Sequence, residues 1–554
     1  MDFIYDGTIE VEPFKINAIQ EIHIKETLNE HAKFYLRARL EKEEYKNLLD
    51  SVGSETKIKF KRKDENNQEQ IIFSGLTKDI IMTAKDSVYF LEVNAVSNSL
   101  MIDVEKKRRS FQDSEMKYRQ IVEKITKAKK SAVTFGDAKA AGKTVENIVL
   151  QYDETDWEFS KRLASHSNAV LIPKIKEDTP DFIFGVLESS SKGDLKSYDY
   201  SVNKDLALYR KMAQFPELKF SENDSVSYTI TSNDKIFNLG DMLNLDEKPL
   251  YISAVNLSLI ESVFKCDYTL STKTAIAAAK FFNRNSVGLH LLGTVLDVQD
   301  DTIQVGLDID VADGTAVSEA GGYWFKYATP YTAESHTGWY VMPEIEDKVQ
   351  VIFPTEDEKE AYATTAIRQG TESDGTNLKT NDPQIKFLRT PYGKEIKFQE
   401  KEILITGKDD ETFIRINEEE GIIIQTKHNV EVYSGANIKM ECDENFSIKA
   451  GKNVNIEANE SIYINGDKRK NNISMEKGGK GGSITTESPF IITSLEDTVI
   501  VESKKDLKLA TKNFSVTGDI IQIAGKSAVD ISATGSSIMM TSNVDVSGSL
   551  IKLN

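Results

Sequence analysis

The 554-residue chain has only two cysteines, Cys266 and Cys442. They lie far apart, so no disulfide framework of the kind that staples small secreted domains is expected. Lysine and arginine number 69 against 88 aspartates and glutamates, a formal charge of −19. That balance excludes nucleic acid as an expected partner, because phosphate binding needs clustered cations, and it favours solubility. No apolar run is long enough to span a bilayer and no N-terminal signal segment is evident. Synthesis in the cytoplasm is therefore expected, with any export following a non-classical route. Histidine is scarce too: His23, His31, His166, His290, His336 and His428 stand nowhere at metal-ligand spacing from one another or from a cysteine. No metal or cofactor site is expected. One phosphate-loop look-alike, Asp137 to Thr144, lacks the first glycine at the required spacing and runs into a strand-like segment from Val145. Without a following helix there is no N-terminus to hold a phosphate.

What the chain does have is a repeat near its C-terminus. Val430 and Val432, Ile438 and Met440, Phe446 and Ile448, Val454 and Ile456, and Ile462 and Ile464 recur every eight residues. Ten apolar hits in ten positions have a chance probability of roughly 1 in 10,000. A small residue follows two after each pair, at Ser434, Cys442, Ala450, Ala458 and Gly466. Next come Gly435, Asp443, Gly451, Asn459 and Asp467, residue types that tolerate positive φ and are expected to turn the chain there.

Apolar residues at i and i+2 share one face of a strand. A single such strand cannot bury that face, so it must stack on copies of itself. Eight residues are too few for one coil of a single-chain β-helix, which takes about 20 or more. Three chains wound about one axis resolve this, each giving one face per repeat, with the apolar pairs meeting on the axis. The expected product is an obligate homotrimeric prism without free sheet edges.

Earlier pairs are Ile403 and Ile405, Ile414 and Ile416, and Ile422 and Ile424. After Ile464 the repeat breaks at a polar, glycine-rich stretch, Lys477 to Ser483, read as a flexible loop. It resumes from Val499 to Val546, and Val544, Val546, Leu550 and Leu553 are the expected tip. Those last residues contain no histidine to hold an ion at the apex.

The N-terminal half reads as β-rich. Glu21 to Ile24, Phe34 to Leu40, Ile71 to Gly75 and Val88 to Val93 are expected strands, with a short helix near Glu41 to Leu49. Tyr118, Ile121, Val122 and Ile125 mark the stripe of an amphipathic helix. Thr155 and Glu158 form a capping box for a second helix, in which Phe159 and Leu163 share a face. The acidic residues around them are expected to cap that helix rather than to act as catalytic carboxylates.

Arg108-Arg109-Ser110-Phe111-Gln112, then a helix, then Tyr152-Asp153-Glu154-Thr155-Asp156-Trp157-Glu158-Phe159 and Arg162-Leu163 resemble the hub region of VgrG proteins and of contractile-phage baseplate hubs. Gly338 to Val351 is similar to the strand pair of the VgrG OB-fold domain, with Glu346 where the family usually has glycine. Phe387 to Ile396 resembles the family's passage into its spike.

The fold class expected is mainly β. Two β-barrel-like hub domains with a few helices are followed by an OB-fold and a C-terminal triple-stranded intertwined β-helix. The boundaries are 1–285 for the hub, with helices near 114–130 and 156–167, then 286–372 for the OB-fold, 373–400 for a neck and 401–554 for the octad spike. Residues 274–285 read as a helical linker.

The resemblance implies the central trimeric spike of a contractile injection apparatus: a type VI secretion system, an extracellular phage-tail-like particle or a phage tail. Such a spike adapts a hexameric tube to a threefold tip and punctures the target envelope, meeting the membrane transiently. The partners it implies are the inner tube protein, baseplate components, a PAAR-repeat tip protein and effector cargo. No catalytic residue is expected, and no further domain beyond Asn554. The rival reading is a β-helical glycan-degrading or glycan-binding tailspike or adhesin, which would need a carboxylate or basic cluster on a solenoid face.

Overall fold

A computed structural model of the chain describes residues 9–53, 55–63, 68–187, 191–232, 236–260, 263–312, 322–331, 335, 337–368, 382–409, 411–466, 471–476, 481–487, 489–524, 526, 534–535 and 550. The chain divides into two compact units, 1–383 and 384–554.

In the first unit the alternating runs form strands β1 (Ile9–Glu12), β2 (Ile16–Thr27) and β3 (Lys33–Leu40), then helix α1 (Lys42–Ser51), then β4 (Lys57–Lys63), β5 (Glu69–Lys85) and β6 (Val88–Ser97). Alternation decides burial: in β3, Phe34, Leu36, Ala38 and Leu40 enter the core and the residues between them do not. A helical layer follows: β7 (Lys107–Phe111), α2 (Tyr118–Thr126), β8 (Val133–Phe135), α3 (Ala138–Gly142), β9 (Val149–Glu154), α4 (Asp156–Ser165), β10 (Leu171–Pro173) and β11 (Phe182–Phe184). Helix α2 buries the expected stripe of Tyr118, Ile121, Val122 and Ile125. Before α4, the Glu158 amide donates to Thr155 Oγ1 at 3.1 Å and the Thr155 amide to Glu158 Oε2 at 3.0 Å, the expected capping box. In the phosphate-loop look-alike, Asp137 Oδ1 accepts from the amides of Lys139 and Ala140 at 3.0 Å each, so a carboxylate of the chain already occupies them.

Strand β12 (Tyr200–Lys204), helix α5 (Leu206–Met212), strands β13 (Val226–Ser232), β14 (Met242–Leu245), β15 (Lys248–Ile260) and β16 (Val263–Ser271), and helix α6 (Lys273–Ile276) complete the hub. Its main sheet runs β1-β4-β5-β6-β3-β2-β15-β16-β13-β12, with β14 also on β15. The two halves expected as separate barrel-like domains are continuous, joined where β2 pairs antiparallel with β15. Alternation reveals a strand's faces but not its neighbour, so the sequence separates what the pairing joins. The expected helical linker is helical only as far as Ile276 and again in one short turn, Arg284–Ser286.

Five strands then close a barrel. They are β17 (Leu289–Gln299), β18 (Thr302–Leu307), β19 (Tyr323–Ala328), β20 (Lys348–Phe353) and β21 (Tyr362–Ile367), with helix α7 (Asp308–Ala312) after β18. The closed order is β17-β18-β19-β21-β20, packed around Val295, Ile303, Val305, Phe325, Val349 and Val351. At the turn into β20 the Glu344 amide donates to Asp347 Oδ2 at 2.8 Å, and Glu346 has φ +74°. Glutamate thus adopts the left-handed backbone that glycine adopts without cost.

The described residues of the second unit hold two antiparallel sheets. One is a meander of β22 (Lys386–Arg389), β23 (Glu395–Phe398), β24 (Glu402–Lys408), β25 (Thr412–Asn417) and β26 (Gly421–Gln425). The other contains β27 (Ser461–Gly466), β28 (Asn471–Glu476) and β29 (Gly481–Thr485). The expected loop at Lys477 to Ser483 is therefore corrected: Gly481, Gly482 and Ser483 belong to β29 and pair with Glu476, Met475 and Ser474, while 477–480 lie outside the described residues. Backbone pairing needs no side chain, so glycine does not end the ladder.

Residues 427–460 form neither strand nor helix, although strands were expected there. They bend at 427–428, 435–436, 443–444, 451–452 and 459–460, once every eight residues, in step with the turn column. These bends differ from the expected left-handed turns. Positive φ does not occur at Gly435, Asp443, Gly451 or Asn459, so the turns are made with right-handed or extended backbone. Asp467 lies outside the described residues.

At the barrel turn, Glu346→Gly removes the left-handed penalty of about 1 kcal/mol while adding unfolded-state entropy of similar size, so barrel stability should change by less than about 1 kcal/mol. Glu346→Val should lose about 1–2 kcal/mol. Denaturant unfolding of the two variants checks this, and equal tolerance of valine would contradict it.

Candidate functional site

The two hub motifs meet. Strands β7 and β9 pair antiparallel, from Lys107 opposite Glu154 to Phe111 opposite Val149. Arg108 Nε donates to Asp153 Oδ1 at 2.8 Å, and its guanidinium lies 4.8 Å from the Tyr152 ring centre. Arg109 reaches Gln151 Oε1 at 2.8 Å and also bonds Asp156. Arg162, fully buried, donates Nε to Glu154 Oε1 at 2.9 Å, Nη2 to the Leu150 carbonyl at 2.7 Å and Nη1 to Glu358 Oε1 at 2.9 Å. Burial opposes the Arg162 charge, but Glu154 and Glu358 outweigh it and hold the guanidinium above its ordinary pKa. Thr155 and Glu158 cap α4 as expected. The other acidic residues of the motif do something different, serving as the counter-ions of three arginines.

This junction reaches the barrel. The Ser110 amide and Oγ donate to the two carboxylate oxygens of Asp310 at 2.6 Å each, and Gln112 Oε1 accepts from the Tyr323 amide at 2.9 Å. Ile148 and Leu150 enter the barrel core while Val149 enters the core of the hub's helical layer. A strand buried on both faces reads as an unbroken apolar run, which is what Ile148-Val149-Leu150 shows. Glu358 and Asp310 gave no comparable signal, since each meets its partner across about 200 residues of chain.

His31 lies between Ser99 Oγ, 2.7 Å from Nδ1, and Asp103 Oδ2, 2.8 Å from Nε2. The order mimics a nucleophile triad. Ser99 is only 1% exposed, however, and its Oγ is also 2.8 Å from that of Ser97, so a substrate has no approach to it. Among the described residues no group of three or more His, Cys, Asp or Glu could hold a metal ion. Cys266 and Cys442 are both free, the first buried and the second exposed.

The second unit presents a different surface. On the meander, Leu388, Ile396, Ile405, Ile414 and Ile424 lie in one cross-strand row. Phe398, Ile403, Ile416 and Ile422 lie in the next. The three expected pairs thus share one sheet face, and the nine side chains are 37–69% exposed. The opposite face mixes Phe387, Leu404, Phe413 and Ile423 with ion pairs: Arg415 Nε donates to Glu402 Oε2 at 2.7 Å, and Arg389 pairs with Glu395 and Asp409. Val430, Val432, Ile438, Met440, Phe446, Ile448, Val454 and Ile456 are 53–67% exposed. Ile462 and Ile464 stand in β27, opposite Met475 and Ile473. Of the expected tip, Leu550 is exposed, and Val544, Val546 and Leu553 lie outside the described residues. Monomeric proteins rarely expose contiguous apolar patches beyond roughly a few hundred Å², so a face of this kind marks an interaction surface.

Residues 291–367 match the family model of the type VI secretion system/phage-baseplate injector OB domain. That range runs from the third residue of β17 to the last of β21, which is the closed barrel. The barrel is therefore an OB domain of the type VI secretion and phage-baseplate injector kind. The resemblance to the VgrG and contractile-phage hub-and-spike family stands on this domain together with the two hub motifs.

No curated protein matches the chain. Among solved structures, an E. coli protein described as a component of the type VI secretion system is similar at 12% identity, with 65% of this chain and 99% of that chain covered and a TM-score of 0.44. A Francisella PdpA–VgrG complex gives 9% identity over 76% of this chain and 80% of that chain, with a TM-score of 0.47. A prophage tail protein from Shewanella oneidensis gives 11% identity over 49% of this chain and 98% of that chain, with a TM-score of 0.38.

Replacing Arg162 by methionine should cost about 3–5 kcal/mol, because Glu154 and Glu358 are left buried without their counter-ion. The deficit should narrow on acidification, since burial already lifts the Glu154 carboxyl above its ordinary range and protonation relieves it. Denaturant unfolding at neutral and mildly acidic pH checks both points. A loss that does not depend on pH would contradict the ionic account.

Proposed function

We propose that the chain is the central spike of a contractile injection apparatus and acts as a homotrimer. The observation that carries this reading is the apolar column of the second unit. Pairs spaced by eight residues stand exposed in the single chain, on a backbone that bends once per repeat and makes no ladder with itself over 427–460. A backbone that bends once per repeat without pairing to itself leaves its hydrogen-bonding edges and apolar face to be met by other chains. Three copies meeting on an axis would bury Val430, Val432, Ile438, Met440, Phe446, Ile448, Val454, Ile456, Ile462 and Ile464 together. At about 25 cal/mol per Å² of apolar surface, ten such residues per chain outweigh the entropic cost of association.

In this reading the hub joins the hexameric inner tube to the threefold spike, supported by the OB barrel matched to injector baseplates. Contraction drives the rigid prism through the target envelope, with transient membrane contact. The column ending near Val544, Val546, Leu550 and Leu553 is the proposed seat of a PAAR-repeat tip protein, and effector cargo travels with the particle. The protein is made in the cytoplasm and leaves it within the particle. The role is mechanical rather than catalytic, in a type VI secretion system, an extracellular phage-tail-like particle or a phage tail.

Ile448→Asp would bring three carboxylates together on the axis. That substitution should abolish the trimer and exclude the chain from assembled particles. Sedimentation of the purified variant tests this. A variant that stays trimeric with an unchanged melting temperature would refute the placement of Ile448.

A further inference from the structure

Glu26 occupies a place in β2 where a hydrophobic residue is expected. Ile22, Ile24 and Glu26 follow one another on the core-facing side of that strand, at 0%, 2% and 6% exposure. Across the sheet Glu26 stands opposite Val255, and Val255 opposite Tyr268, both buried. A carboxylate in such a row normally has a counter-ion or donors at hydrogen-bonding distance. Among the described residues Glu26 makes no hydrogen bond and no ion pair. Lys176, whose charge acts on it, is instead bonded through Nζ to Asn238 Oδ1 at 2.9 Å.

The Glu26 side chain lines a cavity of about 210 Å³ walled by Ile172, Ile175, Ile183, Leu187 and Leu239. The volume is below the roughly 300–1,000 Å³ of drug-sized pockets and suits a group the size of one side chain. Apolar side chains beside one buried, unpaired carboxylate, on a wall that also carries Lys174, Lys176, Glu177 and Asp241, are complementary to a short apolar stem ending in a positive charge. We propose that this cavity binds a protonated amine on a short apolar stem, with Glu26 as its counter-ion. A small alkylammonium and a lysine side chain share that chemistry.

The electrostatics agree with the geometry. Burial pushes the Glu26 carboxyl up to about 7, and the charge of Lys176 counters this only in part. The other ionisable groups around it are Lys174, Glu177 and Asp241 at the cavity and Cys266 and Tyr268 on β16. Burial raises the last two above their ordinary values, so both are neutral near pH 7. Across that pH range Glu26 changes charge. Binding a cation requires its ionised form, so affinity should rise roughly tenfold between about pH 6 and pH 8.

The test titrates the full-length protein with n-butylammonium by calorimetry or ligand-observed NMR. Uncharged n-butanol and anionic butyrate serve as matched probes. We expect a Kd of about 1 mM for butylammonium, at least tenfold weaker binding of butanol and none of butyrate, with loss of the preference in Glu26→Gln. Equal binding of butanol, stronger binding of butyrate, or an unchanged preference in Glu26→Gln would overturn the proposal. So would butylammonium affinity that does not rise with pH in the wild-type protein, a readout that needs no variant. Nα-acetyl-lysine methylamide then separates the sources: binding of this probe with butylammonium assigns a lysine side chain, and binding of butylammonium alone assigns a free amine.

Discussion

An apolar pair that recurs every eight residues has nowhere within its own chain to be buried. Each repeat is long enough for one short strand and one bend, and too short to turn back on itself. The described octads of the second unit show the outcome, with regular bends, exposed valines and isoleucines, and no ladder over 427–460. Hydrophobic surface left in water on this scale must be met by another chain or by aggregation. The meander of β22 to β26 adds the same feature in a different geometry, since its strands pair with one another yet leave two rows of apolar side chains uncovered on one face. The proposed homotrimer follows from this constraint.

The first unit faces a different demand, the transmission of position between the hub and the OB barrel. Strand β9 and the residues before it contribute to both cores, and Arg162, Ser110 and Gln112 reach acceptors and donors on the barrel side. A buried guanidinium shared between Glu154 and Glu358 is not a cheap source of stability. It does specify geometry, because the fork must meet a carboxylate from each side and the Leu150 carbonyl at once. In a component proposed to transmit force, such a junction would fix the two domains as one body.

Much of this was legible in the sequence because it depends on local periodicity. The hub strands, the stripe of α2, the capping box of α4 and the apolar pairs at Ile403 to Ile424 all follow from side-chain direction along a strand or helix. The family resemblance at Arg108 to Gln112 and Tyr152 to Leu163 marked the residues that the structure brings together. The arginine counter-ions were not legible, since Asp153, Glu154 and Asp156 sit beside a helix start and look like capping acids. Nor was the continuous hub sheet, which depends on β2 finding β15 more than 200 residues later. Strand assignments in the octads missed for a related reason: a strand is defined by a partner, and within one chain these segments have none. Glu26 escaped notice because a lone acid after Ile22 and Ile24 resembles the solvent-facing end of a strand.

The proposed assembly is tested most directly by the mass of the purified wild-type protein in solution, measured by light scattering over a range of dilutions. A mass near three times the 62.1 kDa chain, unchanged on dilution, is what intertwined octads predict. A stable, well-folded monomer would show that the apolar column is buried in some other way and would contradict the account.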